Sequence, residues 1–209
     1  MKLLYSPTSP FARKVRIAAL ELHIDEALTL EEIDPWRDER LRGLNPLAKV
    51  PTLVLDDGQV LYESSVIVAY FDANVMGGLV PHMGSARWRA LRFEAMCDGV
   101  ATAAGRLYAG EQRGQPDPIE DRLIEAIQSG LDAMERERLN YDRPLVGEIA
   151  AAATLAYFDF RWPDRDWREG RPRAAEFMRF MEQRPSMIET AYRPLADLDA
   201  ADDGQNPGP

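Results

Sequence analysis

Apolar positions change their period along the chain. Up to about residue 75, short strand-like runs are separated by helical stretches; beyond that the spacing is helical throughout. MKLLYS reads as a short apolar strand and PFARKVRIAALELH as an amphipathic helix. LTLEEID is a strand by alternation, with Leu28 and Leu30 on one face and Ile33 continuing the apolar content. After PWRDERLRGLN, which has room for a short helix, VPTLVLDDGQVLYES predicts a hairpin: TLVLD, a turn at Asp57-Gly58, then QVLYE. SSVIVAYFDANV follows as a helix with Val66, Ile67, Tyr70 and Phe71 apolar. A helix between the first two strands makes them parallel, while the tight turn makes the last two antiparallel. The prediction is a small mixed sheet with helices on its faces.

Gly77, Gly78 and Pro81 break the pattern. Next comes a long helix over SARWRALRFEAMCDGVATAAGRLYAGEQR, with Trp88, Leu91, Ala95 and Met96 on one stripe. DPIEDRLIEAIQSGLDAMERERLN is a second, carrying Ile119, Leu123, Ile127, Leu131 and Met134 at helical spacing. LVGEIAAAATLAYFDFRW is apolar enough to be a buried central helix, and PRAAEFMRFMEQ is a fourth, opened by Pro172 and stopped before Pro185. The boundaries this predicts are one unit over 1–76, a linker over 77–84, a helical unit over 85–195 and a disordered acidic tail over 196–209.

Composition narrows the function. The 209 residues include one cysteine, Cys97, so no intrachain disulfide forms, and with only His23 and His82 beside it no metal-ligand cluster is visible. A net charge of −10 argues against nucleic acid as a partner. No apolar run approaches the roughly 20 residues of a membrane span, and MKLLYSPTSP reaches its prolines too early for a signal-peptide core. A cytoplasmic protein is expected. The arginines in RWPDRDWREGRPR alternate with acids and read as a paired structural loop. Cys97, among apolar neighbours, reads as a packed small residue, and Asp98 beside it reads as part of a solvated face. Phe93, Trp88 and Tyr108 are core candidates, with one or two available to line a pocket.

Three segments carry candidate chemistry. Ser6-Pro7-Thr8-Ser9-Pro10 joins a strand to a helix, where unpaired N–H groups and the helix dipole favour an anion. Val50-Pro51 directly precedes a strand, a place proline tolerates. It is open to an ordinary trans bond or to the cis form that about one X–Pro bond in twenty adopts; if cis, the N–H and C=O of Val50 turn from the sheet and are free for an extended peptide ligand. Glu63-Ser64 joins a strand to a helix, with Ser64 as a natural N-cap. Each has a plain alternative: Ser9 capping a helix begun by Pro10, a trans strand start, and an ordinary junction.

In this order and spacing, NPLAKVPTLVLDDG followed by LYESSVIVAYFD resembles the cis-proline loop and Glu-Ser motif of the glutathione transferase family. The likeness runs over about residues 1–195, since GEIAAAATLAYFDFRWPDRDW is similar to the buried helix of a bacterial branch. There the family has a Ser or Thr cap and an Asp three residues on; here Leu145 and Glu148 keep only the acid. The resemblance implies an α/β thioredoxin-like N-terminal domain with a mixed four-stranded sheet, an all-α C-terminal domain and a homodimer, which gives Asp98 a second reading, beside the ligand of a partner subunit. It implies glutathione as cosubstrate: Glu63 and Ser64 for its γ-glutamyl end, Val50 and Pro51 for its cysteinyl backbone, Lys49 for its glycyl carboxylate, and a positive patch from Arg13, Lys14 and Lys49.

The thiol then falls at the opening turn. Ser9 is the candidate catalytic residue, with Thr8, Ser6 and the more remote Tyr5 as other hydroxyls. A free thiol titrates near pH ~8.5, and a donor plus a helix N-terminus favour its thiolate. Where the related redox proteins carry cysteine this chain has serine, which steadies a thiolate but forms no mixed disulfide. The expected reaction is thiolate attack on a small hydrophobic electrophile, as in detoxification. The rivals are a glutathione-binding or interaction module with little turnover, and a specialised isomerisation, dehalogenation or ether cleavage by the same thiolate.

Overall fold

The computed structural model describes residues 1–114 and 118–195; the tail expected over 196–209 lies outside the described residues. Four strands, β1 (Lys2–Tyr5), β2 (Thr29–Glu32), β3 (Thr52–Val54) and β4 (Val60–Leu61), form one sheet in the order β2-β1-β3-β4. Helix α1 (Pro10–Glu21) carries the chain back so that β2 runs parallel to β1, with Leu3 opposite Leu30. β3 is antiparallel to both β1 and β4. The hairpin turns where expected, with Gly58 at φ 86°, a value that suits glycine. Its strands are shorter than TLVLD and QVLYE, although Leu55 N–H still donates to Gln59 O at 2.8 Å.

β2 departs from its expected face. Leu30 is exposed and Leu28 half-buried, whereas Ile33, just past the strand, is buried. β2 is the sheet edge, and its Glu31 pairs with Lys2 and with Arg40 of the short helix α2 (Arg40–Leu44). Helix α3 (Ser64–Val75) has the expected limits and buries Ile67, Val68 and Phe71, leaving Val66 exposed.

The helical part comprises α4 (Gly84–Arg113), α5 (Glu120–Arg136), α6 (Val146–Arg161), α7 (Pro172–Met181) and a short α8 (Pro185–Glu189) that the sequence did not announce. α5 buries Leu123, Ile127, Leu131 and Met134, while Ile119 lies just before the helix and is exposed. α6 is buried over most of its length, and its glycine permits close approach: a Cβ on Gly147 would stand 2.7 Å from Phe93 Cδ1. Its cap keeps only the acid half of the capping arrangement, Leu145 N–H donating to Glu148 at 3.1 Å.

On α4 the expected stripe is displaced. The buried face is Ala90, Phe93, Cys97, Val100, Ala104 and Leu107, and Trp88 is 69% exposed. The helix packs on α5 and α6 together and also touches α1, so small residues face its neighbours and the largest side chain is turned out. The arginine-rich loop is held by acids as expected, with Arg168 bidentate on Asp159 at 2.7 and 2.9 Å.

The fold is therefore an α/β thioredoxin-like unit followed by an all-helical one. Buried polar groups join them. The Asp72 carboxylate accepts the Leu79 and Val80 N–H groups at 2.7 and 3.0 Å, and Val146 N–H donates to Leu79 O. Glu21, at the end of α1, accepts Arg184 at 2.9 Å and Ser186. Among the described residues no helix is long and apolar enough to cross a membrane.

Candidate functional site

The sheet register gathers the three segments. Leu4 pairs with Thr52, and Leu53 with Leu61 in antiparallel sense. The exit of β1, the start of β3 and the exit of β4 therefore share one end of the sheet, which brings Ser9, Val50-Pro51 and Glu63-Ser64 together.

At the first segment, Ser9 is extended (φ −88°, ψ 122°) and caps α1, its Oγ accepting Ala12 N–H at 3.2 Å. The capping lone pair leaves the hydroxyl proton free to donate, so capping and chemistry are compatible. Pro10 at the first helical position has no N–H, and the Phe11 N–H has no partner among the described residues. Ser6 and Thr8 hydroxyls bond each other at 3.1 Å, and Tyr5 OH reaches Glu32 at 3.4 Å. Ser9 thus keeps its proton while capping α1, whereas Ser6 and Thr8 share one hydroxyl–hydroxyl bond.

At the second segment, Val50-Pro51 is cis. The Val50 N–H and C=O make no hydrogen bond among the described residues. The loop is held by Asn45, buried at 1% exposure, whose amide nitrogen donates to Lys49 O and Thr52 Oγ1, both at 3.1 Å, and whose Oδ1 accepts Leu47 N–H at 3.0 Å. Thr52 Oγ1 in turn donates to Lys49 O at 2.8 Å. Asn45 went unnoticed in the sequence, although Asn before Pro46 is a turn signal. Lys49 is exposed beside this loop.

At the third segment the cap is not Ser64. Glu63 occupies the N-cap position and Ser64 is the first helical residue, buried, with no side-chain cap bond. Glu63 O accepts Val66 and Ile67 N–H, while the Ser64 and Ser65 N–H groups have no partner among the described residues. Two unpaired donors at a helix head suit a carboxylate, and the exposed Glu63 beside them suits an ammonium.

The expected positive patch is corrected. Arg13 is buried and donates to Met187 O at 3.0 Å, and Lys14, at 1% exposure, pairs with Glu94 at 2.9 Å and Asp98 at 2.6 Å. Of the three cations only Lys49 faces outward. Asp98 is half-buried and holds Lys14. Burial raises the Glu94 carboxyl, against the pull of Lys14, and drives the Cys97 thiol well above its usual range.

Against Arg13, on the first turn of α1, stands an aromatic wall. Arg13 lies over the Tyr192 ring at 4.3 Å; Tyr192 stacks on Phe160 and meets Tyr157 edge-on, and its hydroxyl donates to Ala153 O at 2.7 Å. Tyr108 of α4 and Arg161 of α6 complete it. These long-range contacts left no local signature in the sequence.

Two family models match, described as the N-terminal domain of glutathione S-transferase over residues 8–74 and its C-terminal domain over residues 117–180. An uncharacterised GST-like protein of Escherichia coli K12, YibF, is 31% identical over 201 residues, spanning 91% of this chain and 98% of its own. The chain belongs to the glutathione S-transferase family. A family member from Pseudomonas fluorescens Pf-5, solved with bound glutathione, superposes with a TM-score of 0.86 at 34% identity over 92% of this chain and 99% of that one. The same target has been solved with S-(propanoic acid)-glutathione, with a TM-score of 0.81 at 34% identity over 93% and 100% of the two chains. A glutathione S-transferase from Methylobacillus flagellatus with glutathione bound gives 0.84 at 33% identity over 92% and 99%.

Proposed function

We propose that this protein binds glutathione and transfers the tripeptide's thiolate to a small hydrophobic electrophile. One observation carries the reading: the Val50 backbone groups and the α3-head N–H groups, without partners among the described residues, share one end of the sheet with the Ser9 hydroxyl. The γ-glutamyl carboxylate meets the Ser64 and Ser65 N–H groups and its ammonium meets Glu63. The cysteinyl backbone pairs with Val50 beside Pro51, and Lys49 takes the glycyl carboxylate. Sulfur then rests at Ser9, whose hydroxyl donates to it while the Phe11 N–H and the α1 dipole favour the anion. Sulfur bonds to the electrophilic carbon, and that carbon's leaving group departs with its electron pair. Glutathione in the relatives from Pseudomonas and Methylobacillus, and an adduct at sulfur in the former, support the assignment.

The glutathione-binding unit is 1–76, joined through 77–84 to a helical unit over 85–195. The protein acts as a homodimer in the cytoplasm. Val66 on α3 and Trp88 on α4, apolar side chains left exposed, support the dimer, and the lone unpaired thiol Cys97 supports a reducing compartment.

The test is a thiolate absorbance titration of the binary complex. The bound thiol should titrate clearly below its free value near ~8.5, and Ser9→Ala should move it back up with glutathione affinity retained. No heat of glutathione binding at millimolar concentration, or a bound thiol no more acidic than the free one, refutes the reading. Binding without conjugation would leave the protein a glutathione-binding module.

A further inference from the structure

We infer that Arg161 is the receptor for a carboxylate on the electrophile, so that the preferred second substrates are small organic acids carrying a leaving group. The inference rests on the reading of the glutathione site above and narrows its second substrate from any small hydrophobic electrophile to one whose far end is a carboxylate.

Arg161 is the last residue of α6. Its guanidinium carbon lies 4.3 Å from the Tyr108 ring centre, 4.6 Å from Phe160 and 5.2 Å from Tyr157. Aromatic faces hold the cation in place, and the polar group beside it is the Tyr157 hydroxyl. Its Nε is buried and has no hydrogen-bond partner among the described residues. Neighbouring arginines differ: Arg165 meets Glu111 at 2.9 Å, Arg168 meets Asp159, and Arg193 meets Glu32. Among the described residues no carboxylate reaches Arg161. Buried donors are nearly always paired, and a planar guanidinium fork without an acid matches a carboxylate from outside.

Its position fits the proposed reaction. At one end, Glu21 of α1 holds Arg184, which also donates to Tyr141 O shortly before α6. The tail of α1 and the head of α6 are thus together, and the head of α1, with Ser9, lies toward the tail of α6. Ring contacts through Tyr192 and Tyr157 link Arg161 to Arg13, one turn beyond Ser9. α4 closes the same end, where a Cβ on Gly105 would face Tyr157 OH at 3.9 Å. An electrophile lying between Ser9 and this wall presents its reacting carbon to sulfur and its far end to Arg161.

Iodoacetate and iodoacetamide are a nearly isosteric pair that probes this. In both, the thiolate sulfur bonds to the methylene carbon, the C–I bond breaks and iodide leaves with the electron pair; the thiol proton has already gone to solvent. Arg161 takes no part in bond making and holds only the carboxylate. The full-length protein and the Arg161→Gln and Arg161→Lys variants are titrated calorimetrically with glutathione, S-carboxymethylglutathione and S-carbamoylmethylglutathione. The kcat/KM for the two iodo compounds is then measured with the uncatalysed rate subtracted.

The natural protein should bind the carboxymethyl adduct about tenfold or more tighter than its amide, as a charge-assisted pair implies. It should show a matching preference in kcat/KM. Arg161→Gln should abolish both preferences with glutathione affinity unchanged, and Arg161→Lys should keep part of them. Equal affinity of the two adducts in the natural protein overturns the inference without any variant, as does a preference that survives Arg161→Gln. If glutathione binds and is alkylated by iodoacetamide and iodoacetate with no preference for the acid, the inference alone fails. If glutathione does not bind, the reading of the site fails and takes the inference with it.

Discussion

Replacing Lys14 by Met tests how the two halves of the molecule are joined. Lys14 on α1 is 1% exposed and sits between Glu94, 3% exposed, and Asp98, both on α4. Met keeps the length of the stem but removes the cation, leaving Glu94 as a buried carboxylate without its partner. Removing one member of a buried pair costs about 3–5 kcal/mol, on the order of 10 °C in Tm for a chain of this size. The cost should depend on pH. Burial already raises the folded-state carboxyl of Glu94, and losing Lys14 raises it further. A carboxyl raised on folding binds its proton more tightly in the folded state, so stability is recovered as pH falls through the folded pKa toward the ordinary carboxylate range. Urea unfolding followed by circular dichroism at pH ~8 and pH ~5.5 reads this directly: Lys14→Met should be most destabilised at the higher pH. Adding Glu94→Gln should restore part of the loss at pH ~8 and flatten the pH dependence. A loss below about 1 kcal/mol, or one equal at both pH values and untouched by Glu94→Gln, would refute the reasoning.

Asn45→Ala removes two donors and an acceptor that hold the loop before β3; it should cost about 2–3 kcal/mol by urea unfolding and weaken glutathione binding more than Lys49→Ala does. Asp72→Ala leaves the buried Leu79 and Val80 N–H groups unpaired, and about 3 kcal/mol of stability should be lost. Trp88→Glu should shift the protein from dimer to monomer in sedimentation without altering its circular dichroism. Cys97, buried with its thiol driven upward, should resist an aryl disulfide reagent in the folded state and react at once in urea.

The elements were legible because each strand or helix must bury one face, and that requirement writes a period into the chain. The limits of α3, the stripe of α5 and the buried length of α6 follow from it, as does the turn at Gly58, where the backbone needs positive φ. The α4 stripe did not follow, because a helix touched by three neighbours carries more than one buried face and small residues become the contact. Trp88 was read as core on its size, yet no described residue covers it. Ser64 was read as a cap on residue type, but Glu63 supplies the extended backbone that starts α3.

The site divides in the same way. Residue type and spacing singled out Ser9, Val50-Pro51 and Glu63-Ser64, because hydroxyls, prolines and helix heads advertise their backbone consequences locally. Whether they meet depended on the strand register, a matter of pairing between segments far apart in the chain. The fate of the cations was equally nonlocal: a lysine's letter says that it is charged, and only the facing helix says whether that charge is spent. Lys14 is neutralised by α4, Arg13 is tied to the chain end, and Arg161 is left among aromatic rings with a donor to offer. Local period and backbone chemistry are properties of neighbouring residues and can be read one segment at a time; pairing of buried charge is a property of packing, and the tertiary structure alone decides it.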